Sequence, residues 1–340
     1  MCIALDVGCH TLRSLRVTAN ELRARQSAAG YTLLRDTPAV RGLLERAQLQ
    51  YACGDGRLLL IGDSAAELSA SFQTDWHPLG VPADAGSQPA LDRRVFAAML
   101  EQLLPAATEP HTLCCYTCAG DATRESGERS LVAQIVRLRG YSPLALSPGM
   151  AVVLAELEPQ QFTGIGISLG SGSCDMTLAH RGRELVSCSW PRGGRWVDEQ
   201  FARELRLVDS RLPRGAAVEL DEAQRRKESC AGDLASPKTR DEHILADIHR
   251  ALLVQAGERL QSELRQSPFA PRLPASVQIV CAGGGCRIKG FTALLQQAAE
   301  ICRWPFSIDG VRIAAADPFT VARGCLIQAQ LGRPASRAAA

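Results

Sequence analysis

One short pattern occurs twice in this chain, about 160 residues apart, and limits the possible folds more than any other feature. In its first copy an apolar strand over 2–5 enters Asp6-Val7-Gly8-Cys9-His10-Thr11 and leaves through a second strand over 12–17. In its second copy Gly164-Ile165-Gly166-Ile167 leads into Ser168-Leu169-Gly170-Ser171-Gly172-Ser173-Cys174-Asp175, and 176–179 leads out. Each copy reads as a β-hairpin whose tip is built from small and polar residues. Self-similarity at so long a period predicts two related lobes, each presenting one hairpin loop.

The segments around the two copies alternate between strand and helix. Residues 58–61 read as a strand, and 92–104 as a helix with Val95, Met99, Leu100, Leu103 and Leu104 on one apolar face. The small, Pro- and Gly-rich stretch 71–90 reads as a connection. A helix over 125–139, a strand over 141–146 and a helix over 150–157 follow, the last started by Pro148. Later come helices over 198–205, 219–229 and 241–266, a linker over 271–274, a buried strand over 277–282 and a helix over 290–300. This order predicts an α/β fold. Its lobes are expected at 1–148, with a small subdomain near 20–70, and at 149–331. The second lobe has its core in 149–192 and 275–331, a helical insert over 193–274, and a flexible tail at 332–340.

With 46% hydrophobic residues among 340, the chain has the apolar content to fill such cores. Its 38 basic and 36 acidic residues nearly cancel, so no global field draws it onto nucleic acid, and no nucleic-acid partner is expected. No basic leader opens the sequence and no apolar run approaches the roughly 18 residues that span a bilayer, so a cytoplasmic protein is expected. Residues 76–81 form the apolar loop best suited to touch a membrane, and membrane contact is expected to be weak or indirect. Thirteen cysteines, an odd number spread from Cys2 to Cys325, fit poorly with a disulfide framework. The cluster Cys114-Cys115-Tyr116-Thr117-Cys118 contains a CxxC but lacks a second ligand pair for zinc, and reads as a short buried strand.

Glycine in a turn after a strand lets backbone N–H groups approach a phosphate without a Cβ in the way. Three turns have this character, around Gly8, at 170–172, and at Gly283-Gly284-Gly285. No G-x-x-x-x-G-K-[ST] occurs, which excludes a P-loop, and no G-x-G-x-x-G opens a helix after the first strand.

In order and spacing the three turns resemble the signature of the actin-like ATPases, which include MreB and the large heat-shock chaperones. Asp6-Val7-Gly8-Cys9 resembles the first phosphate loop, D-x-G-T, with cysteine for threonine. The stretch from Ser168 to Asp175 resembles the second, D-[IL]-G-G-G-T-x-[DE], and Gly283-Gly284-Gly285 the adenosine motif. Gly193-Gly194-Arg195-Trp196-Val197-Asp198-Glu199 resembles the G-G-D-x-F-D-E turn near ribose and phosphates. Arg225-Arg226-Lys227-Glu228, with Gln224 at the glutamate position, resembles the adenine-facing helix. Asp317-Pro318-Phe319-Thr320-Val321-Ala322-Arg323-Gly324 resembles the D-P-L-x-x-V-A-x-G of MreB, and the chain ends soon after it, so a chaperone's substrate domain is not expected.

The resemblance implies a two-lobed actin-like fold, duplicated ribonuclease H-like domains with mixed five-stranded sheets flanked by helices. It implies ATP or ADP in the cleft, held by Asp6, Gly8, Cys9, His10, Thr11, Gly170, Ser171, Gly172, Ser173, Gly193, Gly194, Gln224, Lys227 and the three glycines at 283–285. Magnesium is expected on Asp6 and Asp175 through waters. The family's acids for hydrolysis fall at Ser147, Ser168 and Asp175, so two of the three positions carry hydroxyls. A hydroxyl holds a water but does not take its proton, and loss of a positioned base commonly costs about 10²–10⁴-fold. The implied function is an MreB-like cytoskeletal or scaffolding protein that self-associates under nucleotide control, with a role in cell shape and partners in a cell-shape assembly. An active magnesium-dependent ATPase and a non-polymerising adaptor are the alternatives.

Overall fold

The computed structural model describes residues 2–18, 21–72, 74–79, 89–118, 131–207, 220–268 and 273–332. It contains two five-stranded sheets built on one plan. In the first lobe β1 (Cys2–Val7), β2 (Thr11–Val17) and β3 (Leu22–Ala28) form an antiparallel meander. Beside β1 run the parallel strands β8 (Leu113–Cys118) and β9 (Ser142–Ala145), giving the order β3-β2-β1-β8-β9. In the second lobe β10 (Gly164–Leu169), β11 (Cys174–His180), β12 (Arg183–Trp190), β13 (Ser276–Ala282) and β14 (Ser307–Ile313) repeat it as β12-β11-β10-β13-β14. Parallel neighbours need crossovers. In the first lobe these contain the helices α3 (Pro89–Leu103) and α4 (Leu131–Leu138), and in the second they include α9 (Phe291–Ile301).

A four-stranded sheet of β4 (Gly30–Arg35), β5 (Ala52–Gly54), β6 (Arg57–Ile61) and β7 (Trp76–Pro78), with helices α1 (Pro38–Arg46) and α2 (Gly62–Phe72), makes the small subdomain. It spans 30–78 rather than 20–70, because β3 stays hydrogen-bonded to β2 in the main sheet. Part of the expected connection over 71–90 is therefore strand. Trp76 packs on the cluster formed by Leu34, Leu44, Leu58 and Leu60, which makes it a packing residue and not a free membrane contact. Residues 80–81 of that loop lie outside the described residues, as do 125–130 of the helix expected at 125–139, residues 271–272 of the linker and 333–340 of the tail.

The second lobe's insert consists of α6 (Gly194–Glu204), α7 (Leu220–Glu228) and α8 (Arg240–Gln266). Thr239 and Glu242 form a capping box that starts α8. The helix read at 198–205 begins one turn earlier, at Gly194, because the backbone N–H groups of Gly194 and Arg195 bond to the carbonyls of Gly170 and Ser171.

Strand alternation decides how the lobes meet. Ile3, Leu5 and Val7 of β1 enter the first lobe's outer core, while Cys2 and Ala4 face the other lobe. Likewise Val277, Ile279 and Cys281 of β13 face the helices of the second lobe, while Val280 and Ala282 face inward. Between these small-residue faces lie α5 (Pro148–Glu156) and α10 (Thr320–Leu331), each following the last strand of its sheet. Cys114, Cys115 and Cys118 are buried on β8 with free thiols, as a buried strand requires. Among the described residues no group of three or more His, Cys, Asp or Glu is disposed to hold a metal, and no helix is long and apolar enough to cross a membrane.

Candidate functional site

A cleft of about 2320 Å³ opens between the lobes, larger than the ~300–1,000 Å³ of a common small-molecule pocket. Both hairpin loops line it. The first brings Asp6, Gly8, Cys9, His10 and Thr11; the second brings Ser168, Gly170, Ser171, Gly172, Ser173 and Asp175. The loops touch at their tips, since a Cβ on Gly172 would stand 2.5 Å from Cys9 Sγ. The third glycine turn closes one wall. Gly283 has φ +115°, a conformation side-chain-bearing residues rarely adopt, and a Cβ there would lie 2.3 Å from the Leu169 carbonyl oxygen. The turn at 283–285 thus leans directly on the root of the second hairpin.

Gly194, Gln224 and Lys227 complete the expected set. Gly193 does not line the cleft; it backs the second loop, where a Cβ would meet the Gly170 carbonyl oxygen at 2.4 Å. Lys227 is not an ordinary exposed lysine. Its Nζ lies 2.7 Å from Asp198 Oδ1 and 3.4 Å from the Gly194 carbonyl oxygen, so it ties α7 to α6 beneath the loop. Burial raises the Asp198 pKa, and Lys227 opposes the rise. Gln224 donates to Glu228 along α7. Trp196 also lines the cleft, and the Arg192 guanidinium lies 4.9 Å from its ring centre and 4.8 Å from that of Trp190.

Ser147 departs from the expected site. Its Oγ donates to Glu184 Oε2 at 2.5 Å and lies 3.1 Å from Thr177 Oγ1, and it is Pro148, not Ser147, that lines the cleft. Glu184 reaches it because a register shift in β11–β12 sets Glu184 opposite Ala179. An acid at position 147 would face that carboxylate. Ser168 does line the cleft, opposite Asp175 across the hairpin.

Two cross-strand pairs surround the position expected for magnesium, and the oxygens of Asp6, Ser168 and Asp175 are the ones that could face it. Asp6 pairs with Arg13 in one hairpin, Ser168 with Asp175 in the other. Asp6 accepts from Thr117 at 3.2 Å and Arg13 at 3.4 Å; burial raises its pKa, and the Arg13 charge opposes the rise. Asp175 accepts from Ser173 Oγ at 2.6 Å. Two negative charges against one positive leave a net negative site, which fits a hydrated dication that bridges to the phosphates of an anionic ligand. Burial in the same neighbourhood pushes the Cys118 thiol up to about 12, helped by Cys9 and the two aspartates.

His249 of α8 also lines the cleft, and the sequence reading missed it because nothing local marks it. It is 3% exposed, and its Nδ1 lies 2.7 Å from the Leu245 carbonyl, to which it donates. Burial lowers its pKa to about 4; the carbonyl opposes and Lys227 adds to the effect. The folded chain then binds this proton less readily than the unfolded one. Stability is full above the unfolded value of 6.5 and falls as pH drops toward 4. Between pH 7 and pH 5 the expected loss is about 2 kcal/mol. Urea midpoints at both pH values should fall more steeply for the native protein than for His249→Phe, and equal slopes would remove the assignment.

A family model described as Volactin matches residues 1–329. The chain belongs to the Volactin family. No curated protein matches it. Among solved structures it is similar to a MamK double helical filament, with 17% identity, 98% of this chain and 100% of that chain covered, and a TM-score of 0.67. A second is MreB 5 of Spiroplasma citri bound to AMPPNP, at 13% identity, 95% and 93% coverage and a TM-score of 0.63. A third is a non-polymerising MamK mutant bound to AMPPNP, at 18% identity, 96% and 98% coverage and a TM-score of 0.58. The actin-like fold is thereby established for this Volactin-family chain, and its family model is Volactin rather than MreB itself.

Proposed function

We propose that this Volactin-family protein binds ATP or ADP between its lobes and self-associates under the control of that nucleotide, as a cytoskeletal or scaffolding element with a role in cell shape. The observation that carries the reading is the meeting of the two hairpin loops: both are glycine-bearing, they come from opposite lobes, and they touch at Gly172 and Cys9. A ligand gripped by both loops biases lobe closure, and closure can gate a polymer contact. The similarity to MamK filaments and to nucleotide-bound MreB 5 supports the same reading. Asp6 and Asp175 would hold magnesium carried in on the phosphates, through waters. Hydrolysis is slow, because Ser168 carries no charge and Ser147 is engaged by Glu184. The location is the cytoplasm, with membrane contact weak or indirect.

Labelled ATP should bind to the purified chain, promote its pelleting, and release phosphate at least about 10²-fold more slowly than an actin-like protein with both carboxylates. Following binding, phosphate release and sedimentation in one set of samples separates the possibilities. Binding without pelleting would leave a nucleotide-responsive adaptor, fast phosphate release an active ATPase, and absence of binding would end the proposal.

A further inference from the structure

The cleft wall beyond the third glycine turn holds one group that the phosphate loops do not use. His249 of α8 lines the cleft there, within reach of the Lys227 charge on α7. Its ring stands edge-on to Phe291, the first residue of α9, at 6.1 Å between ring centres and 90° between planes. Because α9 follows the turn at 283–285, His249 stands on the adenosine side of the cleft. We propose that His249 selects the base of the nucleotide: its Nε2 accepts a hydrogen bond from the exocyclic amine of adenine, and a purine with an oxygen at that position is rejected. This rests on the cleft being a nucleotide site.

The surroundings of the ring fix its chemistry. The Leu245 carbonyl oxygen, 2.7 Å from Nδ1, can only accept. The hydrogen of the neutral imidazole therefore sits on Nδ1, and Nε2 is left as a bare acceptor. Burial keeps the ring neutral. Nε2 has no hydrogen-bond partner among the described residues. Moving the hydrogen to Nε2 would set a bare Nδ1 against the Leu245 carbonyl, two acceptors face to face. Neighbours on the same wall do not take over the role. Lys227, held by Asp198, can only donate, as can Arg287 and Lys289, and the Glu228 carboxylate accepts from Gln224. Donors favour a purine oxygen, so discrimination against it falls to His249. Ile288, Cys230 and Ala231 add the apolar surface that suits a flat base. An acceptor desolvated against another acceptor gains nothing in return, which is how a polar contact rejects a close analogue.

The test is equilibrium binding of ATP and of ITP, which carries an oxygen in place of the amine, to the full chain in magnesium. The native protein should bind ATP about 10-fold or more tighter than ITP. His249→Phe, which keeps a ring of similar size, should bring the two affinities within about 3-fold of each other. Nitrogen-15 spectra of the native histidines give a readout that needs no variant: His249 should carry its hydrogen on Nδ1, and its Nε2 signal should move with ATP. Equal native affinities, an undiminished preference in His249→Phe, or a hydrogen found on Nε2 overturns the proposal. If the native chain binds neither nucleotide, the nucleotide reading itself fails, and the two failures are distinct.

Discussion

Gly283→Val is expected to lower ATP affinity by about 100-fold and to destabilise the second lobe. Two costs coincide at this residue. Its φ of +115° strains any side-chain-bearing residue, by about 1–3 kcal/mol. The added Cβ would also sit 2.3 Å from the oxygen and 2.9 Å from the carbon of the Leu169 carbonyl, which are backbone atoms and cannot rotate away. Relief requires the turn at 283–285 to withdraw from the second hairpin, and these are two walls of one cleft. If about 3 kcal/mol must be spent restoring the bound geometry, affinity falls by about two orders of magnitude. Isothermal titration with ATP measures this directly. Gly310→Ala is the control, since a Cβ there meets nothing within 4 Å and the residue does not line the cleft; equal losses in both variants would show that the turn does not act through Leu169.

The second large effect is expected at Gly324 between the lobes, because one substitution should have opposite signs at two helical glycines. In an unconstrained helix Gly→Ala stabilises by about 1 kcal/mol. Gly42 in α1 meets nothing within 4 Å, so Gly42→Ala should give that gain. Gly324 in α10 faces α5 so closely that a Cβ would lie 1.9 Å from the Ala151 carbonyl oxygen and 2.5 Å from its carbon. Gly324→Ala must push apart the two helices on which both sheets rest, and overpacking of this kind costs about 1–3 kcal/mol or more. Urea unfolding of both variants provides the check. A gain in stability at Gly324 would mean that the lobes do not pack through α5 and α10 as described.

Much of this architecture was legible because it is written in short-range patterns. Short apolar strands around tips of small and polar residues marked both hairpins, and their recurrence implied two lobes before any packing was known. The strand at 277–282 and its glycine turn were readable for the same reason. The helix at 194 began earlier than expected, because its first amides are satisfied by the carbonyls of Gly170 and Ser171, some 24 residues upstream. A boundary set by such a contact leaves no local trace.

The candidate site divides along the same line. The sequence by itself determined which loops carry glycine, which family acids are replaced by Ser147 and Ser168, and that the positive charge on the hairpins is Arg13. Only the tertiary structure decided how those groups are used. It set Arg13 opposite Asp6, turned Ser147 toward Glu184 through a register shift on another strand, and brought His249 to the cleft wall. The physical reason is that periodicity reports which face a residue occupies. The distance between faces of different lobes is set by the packing of α5 against α10, where Gly324 admits the backbone of Ala151.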